Sequence, residues 1–419
     1  MTSKVRFPKK FMWGAGVSAH QVEGDTHNQW TRWELEHAKA RAAQAPYHYG
    51  ELENWQGIKA LAQRPANYVS ASASGHYKRY KDDLTLLKKL GLDTFRFSIE
   101  WSRLEPEEGV WSEEAVEHYR QYFAYLKQLG ITPIVTLFHF TVPEWFADKG
   151  GFAKRGNLAL FERFAAKVLD EYGPYMKWVI TVNEPTIYAR EGYLNGNWPP
   201  GVRSKWQAWR VLENLLLTHR HIAKLVHAKS RRLKVSIAHH ISYVYPGDDA
   251  WLTRTSSGVL NQLSNHYALA RTAKSSDFIG VNYYASRRVY GYRVHNPDLR
   301  LSDMGWDMQP SDLRYVLDEL WDRYKKPLII TENGLADAAD EHRGWWLQQT
   351  IAAMHQAMND GVDLLGYIHW SLLDNFEWSH GRWPRFGLVA VDYKSLERMV
   401  RPSAKAFARI IKTVRGDSR

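Results

Sequence analysis

The 419-residue sequence predicts an α/β fold: a single (β/α)8 TIM barrel over residues 1–419, with elaborated loops on its C-terminal face. Three observations carry this prediction. Eight apolar, strand-forming runs recur along the chain. Amphipathic helical patterns separate them, with no low-complexity tract, short repeat or linker between. Two of the runs end in a glutamate, at the lip where a parallel barrel keeps its chemistry.

The runs are 11–22, 94–101, 131–140, 177–183, 234–241, 278–285, 327–332 and 364–371. Lys177-Trp-Val-Ile-Thr-Val and Pro327-Leu-Ile-Ile-Thr show their character. Short continuous runs of apolar and β-branched residues mark strands buried on both faces. The intervening segments differ. Tyr80-Lys-Asp-Asp-Leu-Thr-Leu-Leu and Leu160-Phe-Glu-Arg-Phe-Ala-Ala-Lys-Val-Leu space their apolar residues three and four apart, the period of a half-buried helix. The Ala-, Ser- and Pro-containing stretch 38–75 predicts an elaborated loop after the first strand. Segments 195–201 and 296–310 predict further loops over the same face. Residues 404–412 predict a terminal helix with a solvated basic face.

Composition narrows the function. The net charge of +11 is spread along the chain, and its densest stretches, 229–234 and 401–419, predict solvated faces and no nucleic-acid partner. The absence of cysteine excludes disulfides and thiolate chemistry. Met1-Thr-Ser-Lys-Val-Arg lacks the apolar core of a secretory signal, and no apolar run approaches the roughly 18 residues of a membrane span. A soluble, cytoplasmic protein with no membrane partner is expected. Aromatic residues are 14% of the chain, more rings than a core needs, which favours sugar recognition. A ring stacks on the C–H face of a pyranose while Trp N–H and Tyr O–H offer polar handles.

The two strand-end glutamates are Glu184, in Thr181-Val-Asn-Glu-Pro185, and Glu332, in Ile330-Thr-Glu-Asn-Gly334. Two carboxyls facing one cleft suffice to cleave a glycosidic bond. One protonates the leaving oxygen and the other traps the anomeric carbon. Metal chemistry finds weaker support. In His239-His240 the adjacent side chains point to opposite faces of a strand, and neither they nor His219-Arg-His221 have a carboxylate at ligand spacing. No glycine-rich phosphate loop appears, so no metal and no cofactor is expected.

The chain resembles the family 1 glycoside hydrolases, the retaining β-glucosidase and β-galactosidase family, nearly end to end. The motifs are Phe11-Met-Trp-Gly-Ala-Gly-Val-Ser-Ala-His-Gln-Val-Glu-Gly24, Phe95-Arg-Phe-Ser-Ile-Glu-Trp-Ser-Arg103, Leu137-Phe-His-Phe140, Asn183-Glu184-Pro185, Asn282-Tyr283-Tyr284, Thr331-Glu332-Asn333-Gly334 and Trp370-Ser-Leu-Leu-Asp-Asn-Phe-Glu377-Trp378 with Arg385-Phe386-Gly387. Any one would be weak; seven in order are specific. The resemblance implies Glu184 as acid/base and Glu332 as nucleophile, with Arg96 and Tyr284 holding Glu332 ionised. It implies Asn183 on the sugar 2-hydroxyl and Asn282 as a supporting amide. Gln21, His139, Glu377 and Trp378 would bond glycone hydroxyls, Trp370 would floor the glycone pocket, and Trp306 and Phe386 would complete the substrate site. The expected partners are β-linked oligosaccharides or aryl and alkyl β-glycosides. The expected activity is that of a retaining exo-β-glycosidase acting on β-glucosides, and on β-galactosides and β-fucosides.

Three alternatives stand beside it. A transglycosylase would pass the glycosyl-enzyme to a sugar hydroxyl. The 6-phospho branch is disfavoured, because Trp378 stands where that branch has a small residue, and Arg385 and Gly387 replace its phosphate-gripping Lys and Tyr; Arg385 remains a possible anion contact. A non-catalytic sugar-binding barrel would lack a catalytic carboxylate, and both are present. The chain departs from the family at Phe140 and Thr186, where tryptophan is usual, and is shorter over 234–278.

Overall fold

The computed structural model describes residues 5–296 and 300–415. Residues 1–4 of the N-terminal segment, 297–299 of the predicted 296–310 loop and 416–419 of the basic tail lie outside the described residues.

Eight parallel strands close into a barrel: β1 (Met12–Gly16), β2 (Thr94–Ser98), β3 (Thr132–Phe138), β4 (Trp178–Asn183), β5 (Lys234–His240), β6 (Ile279–Asn282), β7 (Leu328–Asn333) and β8 (Leu364–Trp370). Each pairs with its sequence neighbours, and β1 closes the ring on β8 with Met12 opposite Gly366 and Gly16 opposite Trp370. Each predicted run contains one strand. The first run is cut short: after Gly16 the chain leaves the barrel lip and Ala19–Val22 forms a helical turn.

One barrel helix follows each strand: α1 (His76–Lys89), α2 (Glu113–Leu129), α3 (Leu158–Tyr172), α4 (Lys205–Lys229), α5 (Tyr267–Thr272), α6 (Leu313–Tyr324), α7 (Arg343–Asn359) and α8 (Pro402–Val414). α2 shows why they form. The Ser112 hydroxyl accepts from the Ala115 N–H, Glu113 and Glu114 sit at the positive end of the helix dipole, and Gly130 ends it in the left-handed region. α8 buries Ala404, Phe407, Ile411 and Val414 and turns its lysines outward, as its spacing predicted. Among the described residues, no helix is long and apolar enough to cross a membrane.

Met12, Ile134, Trp178, Ile180, Ala238, Phe278, Ile329 and Ile368 pack in one buried cluster built from the strands, and the larger core lies between strands and helices. At the catalytic lip Gly334 meets β8 so closely that a Cβ there would lie 1.7 Å from the Trp370 carbonyl oxygen. Only glycine fits that approach.

The stretch 38–75 is not a loop. Helices Gln29–Tyr49 and Trp55–Ala62 and a short 3-10 turn, Pro65–Tyr68, occupy most of it. Asn28 caps the first of them by accepting from the Thr31 N–H at 3.0 Å, and its Ala, Glu, Lys and Arg residues are strong helix formers.

Candidate active site

Strand ends bring the site together. Arg96, on β2, is 1% exposed, and its guanidinium crosses the barrel mouth. Its Nη1 donates to Glu332 Oε1 at 2.5 Å and to the Thr331 carbonyl at 3.0 Å; its Nη2 donates to Asn183 Oδ1 at 2.7 Å. Tyr284, just past β6, donates its hydroxyl to Glu332 Oε2 at 2.8 Å. Both oxygens of Glu332 therefore face donors, one of them permanently charged.

Glu184 follows β4 in the left-handed region, at φ +41°. That conformation costs a non-glycine residue roughly 1–2 kcal/mol. A hydrogen bond from the Glu184 N–H to the Ala238 carbonyl, 2.8 Å, holds it there, and Pro185 opens the next helix. Asn282 Nδ2 donates to Glu184 Oε1 at 2.8 Å and to Asn183 Oδ1 at 3.1 Å, and Asn282 Oδ1 accepts from Thr331 at 2.7 Å. His240 Nδ1 stands 3.6 Å from the same Oε1. Among the described residues, Glu184 Oε2 has no hydrogen-bond partner.

A cavity of about 420 Å3 opens over these groups. Asn183, Glu184, Tyr284, Glu332, His139, Trp370, Glu377, Trp378, Trp306 and Phe386 line it. The His139 ring is nearly parallel to both Trp370 and Trp378, with centroids 5.6 and 6.0 Å away. Its Nε2 is 3.3 Å from Asn183 Nδ2, and its Nδ1 is buried without a partner among the described residues. Glu377 Oε2 accepts from Gln21 at 3.2 Å.

Three predicted residues stand behind the wall. Gln21 spends its amide donors on Asn375, Phe376 and Glu377, and its oxygen accepts from Ser18. It braces Glu377. Asn282 and Arg96 brace the carboxylates. Arg385 is turned away from the cleft: it donates to Asp374 and the Val391 carbonyl and stacks on Tyr393. Arg385 does not line the cavity. Phe140 and Ile187 line the cavity, but Thr186 does not.

Other wall residues carried no family motif. Arg41, His48 and Tyr49 come from the inserted helix, Trp198 and Met304 from loops, and His380 from the turn after Trp378. His240 was legible. Strand alternation requires one of two adjacent histidines at a barrel lip to face the cleft, and it is His240; His239 packs behind the sheet against Thr272.

The charges divide the site. Burial pushes Glu332 up to about 7 against the pull of Arg96, and the nearby Glu184 charge adds to the rise. Burial acts upward on Glu184 too, but a charged His240 and the Asn282 amide draw it below the usual carboxylate range. That lowering depends on a histidine proton, whereas Arg96 is charged at every working pH. The two carboxyls titrate as a pair: the Arg96 and Tyr284 donors favour the charged form of Glu332, and burial and the Glu184 charge oppose it. Burial, with the two neighbouring carboxylates, lifts Glu377 to about 8. Burial, with Arg96, holds His139 neutral.

A closed parallel barrel with two buried carboxyls in one sugar-sized cleft is the equipment of a glycoside hydrolase. The family model for glycosyl hydrolase family 1 matches residues 3–269 and 251–415, and the chain belongs to that family. Beta-glucosidase A from Acetivibrio thermocellus is 30% identical over 98% of this chain and 99% of its own length. Among solved structures, a beta-glycosidase from Pyrococcus horikoshii is 35% identical, with a TM-score of 0.86 over 98% of this chain and 96% of its own. Beta-glucosidase from Thermotoga maritima in complex with glucoimidazole is 27% identical, with a TM-score of 0.86 over 98% and 99%. The chain is a glycoside hydrolase of family 1 with the family's barrel.

Proposed function

We propose that this glycoside hydrolase is a retaining exo-β-glycosidase. It hydrolyses β-D-glucosides, and also β-galactosides and β-fucosides, by double displacement, with the whole chain as one catalytic barrel. One observation carries the assignment of roles: both oxygens of Glu332 are held by Arg96 and Tyr284, while Glu184 keeps Oε2 open.

In the first step a Glu332 oxygen attacks the anomeric carbon as the glycosidic C–O bond breaks. The proton on Glu184 goes to the leaving oxygen, and the aglycone departs as an alcohol. In the second step Glu184, now a carboxylate, takes a proton from water. The water oxygen attacks the anomeric carbon, the bond to Glu332 breaks, and both carboxyls return to their starting state. Two inversions leave the β configuration.

The remaining residues hold the sugar. Asn183, bonded to Arg96 through its oxygen, offers Nδ2 to the 2-hydroxyl. His139 offers its unpartnered Nδ1 to a glycone hydroxyl. Glu377 accepts from two hydroxyls, with Gln21 fixing its second oxygen. Trp370 and Trp378 wall the pyranose, and Trp306 and Phe386 border the aglycone. Substrates are β-linked oligosaccharides or aryl and alkyl β-glycosides. A 6-phosphate would meet the Glu377 carboxylate, and Arg385 is paired with Asp374 away from the cleft.

The test is a panel of nitrophenyl glycosides. Turnover of the β-glucoside, β-galactoside and β-fucoside is expected, with little on α-glucosides or 6-phospho-β-glucosides. Preference for the 6-phosphate or the α-anomer would overturn the reading. In Glu377→Ala the glucoside should fall further than the fucoside, which lacks a 6-hydroxyl.

A further inference from the structure

The two carboxyls are served by different cations. Glu332 has Arg96, and a guanidinium is charged at every pH a folded protein meets. Among the described residues, the only ion-pair neighbour of Glu184 is His240, 3.6 Å from Oε1. An imidazole changes charge between about pH 5 and 8.

Backbone geometry fixes this neighbour. The Glu184 N–H donates to the Ala238 carbonyl at 2.8 Å, which ties the end of β4 to the end of β5. His240 closes β5 two residues further on, and alternation turns it into the cleft. Its side chain is 23% exposed and that of Glu184 is 10% exposed, so His240 is the more open of the two to water. The ionisable groups that line the cavity with His240 include Glu184, Glu332, Tyr284, Arg190, Glu191 and Glu377. Arg190 is paired with Glu191 at 2.7 Å, and Glu332 and Tyr284 are bonded to each other; Arg96 also draws Glu184 down, but less than His240 does.

We propose that His240 is a positioning residue for the acid/base: a switchable cation that sets how tightly Glu184 holds its proton. The proposal rests on the double-displacement reading above. A charged His240 stabilises the Glu184 carboxylate, the form needed to activate water, and weakens the proton needed by the leaving group. The cost falls on substrates whose leaving oxygen must be protonated. Aryl β-glycosides, whose phenolate departs with little help, are then favoured over alkyl glycosides and disaccharides near neutral pH.

Profiles of kcat/KM against pH test this with two substrates, dinitrophenyl β-glucoside and octyl β-glucoside. The enzymes are the wild type, H240N, H240Q and H240K. In the neutral variants the alkaline limb for the octyl glucoside should move up, by at most about one pH unit, because a charge is lost wherever that limb falls below about pH 8. In H240K a permanent cation should hold that limb at or below its wild-type position. The dinitrophenyl profile should keep its alkaline side in all four. Equal losses at every pH with unmoved limbs would overturn the proposal and leave His240 a purely steric role. A shift of the same sign in H240K and H240N would overturn it too. If the wild-type limbs do not differ between the two substrates, Glu184 is not the acid and the reading beneath the proposal fails.

Discussion

Glu332 and Glu184 are nearly equally buried, at 4% and 7% exposure, yet their surroundings ask opposite things of them. Glu332 is clamped at both oxygens, by a permanent cation and a phenol. Glu184 is held at one oxygen by a neutral amide and a titratable imidazole, and the other oxygen is open. A group that must stay charged and immobile has fixed partners, and a group that must gain and lose a proton in each half-reaction has switchable ones. Burial alone separates nothing here; the identity of the neighbouring donors does.

If that division is right, Glu332→Ala should show the largest effect. Without a covalent trap, kcat should fall on the order of 10⁴-fold or more. Circular dichroism and turnover of the β-glucoside check it together: native fold with lost activity is expected, and near-native turnover would remove Glu332 from its role.

Glu184→Ala should lose less, and selectively. Alkyl glycosides and cellobiose should fall by roughly 10²–10⁴-fold, the range of general acid catalysis. Nitrophenyl glycosides should still glycosylate Glu332 and stall afterwards, visible as a burst in stopped-flow absorbance. Equal losses for both substrate types would erase the distinction between the carboxyls.

Tyr284→Phe sharpens the contrast from the other side. It removes the donor on Glu332 Oε2, a contact to an ionised group worth about 1.5–3 kcal/mol. kcat/KM should fall about 10- to 100-fold. Because the lost bond favoured the carboxylate, Glu332 should hold its proton to higher pH, and the acid limb of the profile should move up. An unmoved limb would show that Tyr284 does not support the charge.

The last effect concerns stability. Glu377 is raised to about 8 in the folded chain, so its contribution is fully present below the ordinary glutamate range and lost as pH rises toward 8. The wild-type Tm should drop across that window, by at most about 1.4 kcal/mol of stability per pH unit from this group. Glu377→Gln should flatten the decline. An unchanged slope would mean Glu377 is ionised in the free enzyme.

The barrel was legible because each strand is a short apolar run, and the carboxyls because each ends one of them. Arg96, His139 and Tyr284 sit in or beside such runs, so the motifs that named them also placed them. The mouth was harder. Residues 38–75 contain Pro46, Pro65 and many small residues, and the helix Gln29–Tyr49, which supplies Arg41, His48 and Tyr49 to the cleft, has no amphipathic stripe strong enough to mark it. For Gln21 packing adds what the motif does not carry: its amide also donates to Glu377 and to the Phe376 carbonyl beside it. Arg385 likewise gave no sign in the sequence that Asp374 and Tyr393 would claim it.

The division of labour between the carboxyls makes its most direct claim about stereochemistry. Proton NMR of the anomeric signal during the first minutes of β-glucoside hydrolysis reads it before mutarotation mixes the anomers. Double displacement through Glu332 predicts β-glucose as the first product. Initial release of α-glucose would mean that water attacks directly, with Glu332 acting as a base, and would contradict the account.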